Sequence, residues 1–348
     1  MRRSTRLAAA ALAGAAVLLP VPALAKSTTP KLPCTGNPAS TARLDVGSTY
    51  GFYALPAKKP VGIVMYDHGY GHNAEDWREH LSQTAQRDGV IAIAMNYTAD
   101  EGTTRRGWRV AEGAAASIAA TKAFEQACPF VKTIVAYGIS MGGNTSGLAA
   151  ASHATRHDGR PLFDYWWDIE GATNVIETYA GARALAVTGN AFAVGAQQDI
   201  EAEMGGPIEA QPQAYADHAV VSHAEDIKAS GIKGVVMVHG VGDGLVPHDQ
   251  SREMQARLRQ VGIPVEFFSA VTHGHDSEAG TTLDGYLPVP HDSPFAGHGS
   301  ETSNTQLVIK TGFDRLASYF SSGNAPSCRE YVIDGTTGVT AGIPTTGC

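Results

Sequence analysis

Four short apolar runs, at residues 61–66, 90–95, 133–137 and 235–238, limit this chain more than any other feature. They show almost no polar alternation, as expected of strands covered on both faces in a parallel sheet. Between them lie helical stretches at 74–87, 110–127, just after Ser140, and 248–261. In the last of these Met254, Leu258 and Val261 share a face before Gly262-Ile263-Pro264 stops the helix. Strand and helix in alternation, joined by right-handed crossovers, predict an α/β fold with a mainly parallel central sheet and helices on both faces. Residues 41–56 include Ser48-Thr49-Tyr50-Gly51-Phe52-Tyr53 and read as an edge strand or hairpin. No internal repeat or low-complexity linker interrupts the chain, so one domain is expected over 41–325, after a leader at 26–40. Residues 171–219 are rich in Ala, Gly and Gln without a strand pattern. Both a small cap insertion over the strand ends and a plain surface excursion fit them.

The N-terminus is a separate matter. Arg2, Arg3 and Arg6 precede an apolar run that ends in Ala23-Leu24-Ala25, the order of a signal peptide spanning 1–25. Pro20 and Pro22 cut that run short of the roughly 20 apolar residues a membrane-spanning helix needs. A secreted protein, extracellular or periplasmic, is therefore expected. In that oxidising setting Cys34, Cys128, Cys328 and Cys348, which have no metal-binding spacing, should form two disulfides. The favoured pairing joins Cys34 to Cys128 and Cys328 to Cys348, the second pinning a tail at 326–348. The formal charge of −8 becomes more negative once the three arginines are removed, so phosphate backbones and anionic lipid surfaces would repel the protein. Neither a nucleic-acid partner nor stable membrane insertion is expected, and the chain reads as a monomer.

Chemistry enters at Gly138-Ile139-Ser140-Met141-Gly142, placed directly between an apolar strand and a small-residue helix. A serine at such a turn is held in a strained conformation that presents its hydroxyl, and flanking glycines let strand and helix approach. The Met141 amide then sits at a helix N-terminus, ready to donate to developing negative charge. A serine hydroxyl needs a base, and the base a carboxylate. Asp243, in the Gly-rich loop after the strand at 235–238, is the candidate acid. The base should follow in chain order, where the sequence reads Val271-Thr272-His273-Gly274-His275-Asp276. His275 is preferred for the glycine before it, and His273 is the alternative base. A zinc site built from His273, His275 and His291 matches no standard spacing, so neither metal nor cofactor is expected. A second oxyanion donor is assigned to the Tyr70 amide in Asp67-His68-Gly69-Tyr70-Gly71, whose side chain could also wall an acyl pocket. Trp77, Trp108, Trp166 and Trp167 are further candidates for pocket walls or core.

On these residues the chain resembles the α/β-hydrolase superfamily, over roughly residues 62–320. Within it the likeness is to secreted serine esterases and lipases related to dienelactone hydrolases and to prolyl-oligopeptidase-type catalytic domains. The resemblance rests on His68-Gly69-Tyr70-Gly71, Gly138-Ile139-Ser140-Met141-Gly142-Gly143, His239-Gly240 through Asp243 with Val246-Pro247, and Gly274-His275. It implies an α/β-hydrolase fold and hydrolysis of a small-molecule or polymeric carboxylic ester through an acyl-enzyme on Ser140. A serine peptidase with the same triad and a non-catalytic binding protein of the same fold are the alternatives.

Overall fold

The computed structural model describes residues 32–101, 107–271, 282–283, 287–288, 297–301, 303–304, 306–334, 338–339 and 343–344. The segment at 41–56 is a hairpin of β1 (Thr41–Val46) and β2 (Thr49–Ala54), with Thr41 opposite Ala54 and Val46 opposite Thr49. The other main strands are β3 (Gly62–Asp67), β4 (Ile91–Met95), β5 (Thr133–Ile139), β6 (Tyr165–Ile169), β7 (Val235–Gly240) and β8 (Val265–Val271). Two-residue strands β9 (Thr282–Leu283) and β10 (Leu287–Pro288) pair with each other, and β11 (Arg329–Asp334) carries short additions at β12 (Gly338–Val339) and β13 (Ile343–Pro344). The central sheet runs β1-β2-β4-β3-β5-β6-β7-β8-β11. From β4 onward every neighbour in that order is parallel, and the hairpin supplies the antiparallel edge.

Nine helices lie among the described residues: α1 (Arg78–Asp88), α2 (Val110–Ala127), α3 (Met141–Ala151), α4 (Val175–Ala186), α5 (Ala191–Met204), α6 (Pro212–His218), α7 (Ala224–Ala229), α8 (His248–Gln260) and α9 (Leu307–Ser322). Because side chains alternate across a strand, the sheet feeds two cores. Ile63, Met65, Ile134, Trp166 and Phe267 pack with Phe124 of α2 and Met254 and Leu258 of α8. Val64, Tyr66, Val135, Trp167 and Phe268 pack with Leu81 of α1 and Leu316 of α9. The absence of polar alternation in the apolar runs is thereby explained, since both faces are dry.

Two boundaries differ from the sequence reading. The helix expected from residue 74 begins at Arg78, because the Ala74 amide is given to Asn96 Oδ1 at 2.8 Å and Asn73 and Asp76 close a turn on each other. Tyr165–Ile169, where the tryptophan pair suggested only pocket wall or core, is a central strand with Trp166 and Trp167 on opposite faces. The Ala-rich stretch at 171–219 contains α4, α5 and α6, whose Tyr179, Ile200, Met204 and Tyr215 form a third cluster with Trp108 and Met141.

Cys34 is bonded to Cys128, closing 94 residues. Cys328 is also disulfide-bonded, while Cys348 and the expected signal peptide lie outside the described residues. Among the described residues no helix is long and apolar enough to cross a membrane.

Candidate active site

Ser140 joins β5 to α3 with φ 57° and ψ −123°, a backbone conformation that L-residues adopt only when their surroundings impose it. The imposition is visible in the glycines around it. A Cβ on Gly138 would lie 1.9 Å from the Gly142 carbonyl oxygen, and one on Gly142 would lie 1.9 Å from the Asp67 carbonyl oxygen. The Ser140 carbonyl accepts the amides of Gly143 at 2.9 Å and Ala172 at 3.0 Å, while its own amide donates to Ile169 at 3.0 Å. The turn is thus pinned to the ends of β3 and β6, and the Met141 amide opens α3.

Asp243 follows β7 in the loop that leads into α8. Its Oδ1 accepts the amides of Leu245 at 2.8 Å and Val246 at 2.9 Å. Its Oδ2 lies 2.7 Å from Nδ1 of His298 and 3.3 Å from Nε2 of His239. Burial alone would raise this carboxyl. The charge of His298 and hydrogen bonds from His239 and His298 outweigh it and hold Asp243 well below the usual carboxylate range.

His275 and His273, the bases expected from the sequence, both lie outside the described residues. Among the described residues the histidine that meets Asp243 through its Nδ1 is His298, which the sequence reading passed over. A signal was there: His298 stands between Gly297 and Gly299 shortly before α9. Gly297 has φ 88°, and a Cβ there would lie 2.3 Å from the Gly242 carbonyl oxygen, so only glycine lets the two loops touch.

A second carboxylate, also unanticipated, stands beside this pair. Glu170 follows β6 with φ 49°. Its Oε1 accepts the Gly240 amide at 3.2 Å, its Oε2 accepts the Gly299 amide at 2.7 Å, and it comes within 3.7 Å of His298 Nδ1. Burial, then repulsion from Asp243, pushes its carboxyl up to about 7. Donor atoms of Glu170, Asp243 and His298 lie within 4.8 Å of one another, a grouping with which a metal could be held. Each carboxylate is already committed to backbone amides, and the two bracket the imidazole as an acid–base cluster does.

The loop after β3 lies against Ser140, since a Cβ on Gly69 would be 3.4 Å from Ser140 Cβ. His68 is buried there, its ring stacked on Tyr97 and its Nε2 3.2 Å from Glu101 Oε2. Desolvation would lower the His68 pKa, but the charge and hydrogen bond of Glu101 raise it overall. The Tyr70 hydroxyl donates to Asp199 Oδ2 at 2.7 Å, and its ring helps wall a cavity of about 540 Å³ that reaches Ser140. Trp108, Leu185, Phe192 and Leu245 supply other walls of this cavity, and Ala180, Gly181 and Ala184 of α4 give it a floor of small residues. Of the four tryptophans only Trp108 lines it; Trp77, Trp166 and Trp167 are core.

No family model and no curated protein matches the sequence. Solved structures do match. Carboxyl esterase 2 from Tuber melanosporum superposes with TM-score 0.55 at 13% identity, over 82% of this chain and 85% of that one. A puromycin-hydrolyzing peptidase from Mycobacterium tuberculosis gives TM-score 0.52 at 15% identity, over 81% of this chain and 40% of that one. The acylaminoacyl peptidase of Pyrococcus horikoshii gives 0.51 at 13% identity, over 81% and 41%. The chain therefore spans about two fifths of the length of these two peptidases. Sheet order, strand-to-helix serine turn and structural neighbours agree that this chain has the α/β-hydrolase fold.

Proposed function

We propose that the protein is a serine hydrolase that cleaves carboxylic esters with an apolar acyl group through an acyl-enzyme on Ser140. The observation that carries this reading is the Asp243–His298 pair, held at the same sheet edge as a serine whose strained turn lines the cavity. In the reaction Ser140 Oγ attacks the ester carbonyl and His298 Nε2 takes its proton. Asp243 holds the opposite ring nitrogen and stabilises the imidazolium. The amides of Tyr70 and Met141 receive the oxyanion. His298 then protonates the departing alcohol and activates the water that frees Ser140. We assign to His298 the role that the sequence suggested for His275, because among the described residues His298 is the histidine that meets Asp243 through Nδ1.

The esters are favoured by the cavity wall: apart from Glu177, its lining side chains carry no charge, which suits a hydrocarbon acyl group. Export is part of the same proposal and is supported by the Cys34–Cys128 bond. A peptidase reading also has support, in that structural neighbours of similar TM-score carry that name. Rates on a p-nitrophenyl ester and on the matched p-nitroanilide separate the two. A faster ester reaction that disappears in Ser140→Ala is expected, and preference for the anilide would overturn the esterase assignment. A wild-type protein whose Ser140 does not react with a fluorophosphonate would overturn both.

A further inference from the structure

The residues that follow His298 reach back across the active site. Glu301 is 2% exposed and belongs to the same stretch, Gly297-His298-Gly299-Ser300-Glu301. Its Oε2 accepts the Gly69 amide, 232 residues away in sequence. Its Oε1 accepts Trp77 Nε1 at 3.0 Å, with His72 Nδ1 at 3.7 Å, and its main-chain oxygen meets His80 Nε2 at 3.0 Å. Gly69 precedes Tyr70, whose amide is the assigned oxyanion donor. The space at Gly69 is closed on both sides, since a Cβ there would lie 2.7 Å from Glu301 Oε2 and 3.4 Å from Ser140 Cβ. At the other end of the stretch Asp243 holds His298, and Glu170 holds the Gly299 amide.

We propose that Glu301 is a positioning residue: by clasping Gly69 it locks the oxyanion loop to the stretch that carries the base, so one piece of chain sets both. This goes beyond the ester-hydrolase reading but rests on its assignment of Ser140, His298 and the Tyr70 amide. A buried carboxylate with two N–H donors is well placed for the task, because charge-assisted bonds to amides are short and directional. Glutamine cannot replace it: its amide turns an N–H toward one of these donors, and even with its oxygen on Gly69 it lacks the charge that strengthens that bond. Were Glu301 only a packing element, loosening it would lower stability without affecting how well a bound oxyanion is held.

The experiment compares wild type with Glu301→Gln, each counted by fluorophosphonate titration so that rates refer to competent sites. Glu301→Gln should lower kcat on a p-nitrophenyl ester about 10- to 100-fold while KM changes little. It should weaken an alkyl boronic acid, whose adduct on Ser140 presents an oxygen to the oxyanion site, by a similar factor. The base-controlled limb of the pH–rate profile should stay in place, because Asp243 and His298 keep their bond. Trp77→Phe, which removes the indole donor to Oε1 and leaves the Gly69 amide on Oε2, should lower stability and leave kcat per site near wild type. If Glu301→Gln does not fold, Glu301→Asp keeps the charge but shortens the reach and should show the same selective loss of kcat and boronate affinity. Wild-type kcat and boronate affinity per titrated site in whichever variant folds would overturn the proposal. An unreactive Ser140 in the wild type would remove the reading beneath it and the proposal together.

Discussion

Asp243 Oδ2 and His298 Nδ1 stand 2.7 Å apart although 55 residues separate them. Both side chains are essentially solvent-free, so the contact forms where an unpaired charge would be costly and a paired one is held firmly. It reaches from the loop after β7 to the stretch before α9 and, among the described residues, is the shorter of the two histidine contacts that Asp243 makes.

His298→Ala should therefore lower kcat/KM on a p-nitrophenyl ester by at least about 1000-fold, the scale of losing a triad base. His275→Ala and His273→Ala should leave the rate close to wild type. The steady-state comparison of the three variants, each checked for folding by circular dichroism, tests the assignment, which fails if His275→Ala is the inactive one.

Ser140→Gly should remove activity and yet stabilise the fold. The φ of 57° and ψ of −123° are strained for serine, and relief of such strain is worth about 1–3 kcal/mol, partly offset by the entropy glycine adds to the unfolded chain. A rise of about 1 kcal/mol in urea unfolding free energy is the expected reading, and an equal or lower value would show strain no greater than glycine's entropic cost, contrary to the expectation.

Gly181 sits within α4 on the cavity wall, and an added Cβ meets nothing within 4 Å. Gly181→Leu should thus remove a glycine from a helix interior, a gain of about 0.5–1 kcal/mol, while filling acyl space. Hydrolysis of short acyl esters should persist as longer ones decline. A chain-length series of p-nitrophenyl esters would reveal it, and an unchanged profile would place the acyl group elsewhere.

Stability should fall as pH rises from weakly acidic to weakly alkaline. Burial pushes Asp67 up to about 8 and Asp168 up to about 7, both from 3.8. The unfolded chain has released these protons above about pH 4, whereas the folded protein keeps them until pH 7–8. Their contribution is complete below the unfolded value and is lost as pH climbs through the folded ones. Asp243 acts oppositely: its carboxyl is depressed, so its contribution holds above its unfolded value and disappears in acid. Asp67→Asn retains an acceptor for the Ser117 hydroxyl, 2.5 Å from Asp67 Oδ1, and should flatten the decline in melting temperature between pH 5 and 8. An identical pH slope in wild type and variant would count against a proton on buried Asp67.

What the sequence could determine was local. Residues 133–151 read correctly as strand, serine turn and helix because apolar run, glycines and small residues adjoin one another, and their sterics act over a few bonds. The helix at Val110–Ala127 and the hairpin at residues 41–54 were legible for the same reason. Asp243 was a candidate acid from its place after a strand, and the Cys34–Cys128 bond matches the pairing favoured for tying the N-terminal segment to the body.

Tertiary structure alone decided what happens between distant segments. His298 meets Asp243 because Gly297 lets one loop lie on another at Gly242. Glu170 and Glu301 became neighbours of the proposed site because the ends of parallel strands and the stretch before α9 converge on one sheet edge. An Ala-rich stretch became a cavity wall only once α4 and α5 packed across Ser140. Periodicity records which face of a strand or helix is dry; partners brought together by chain reversal and burial leave no such local trace.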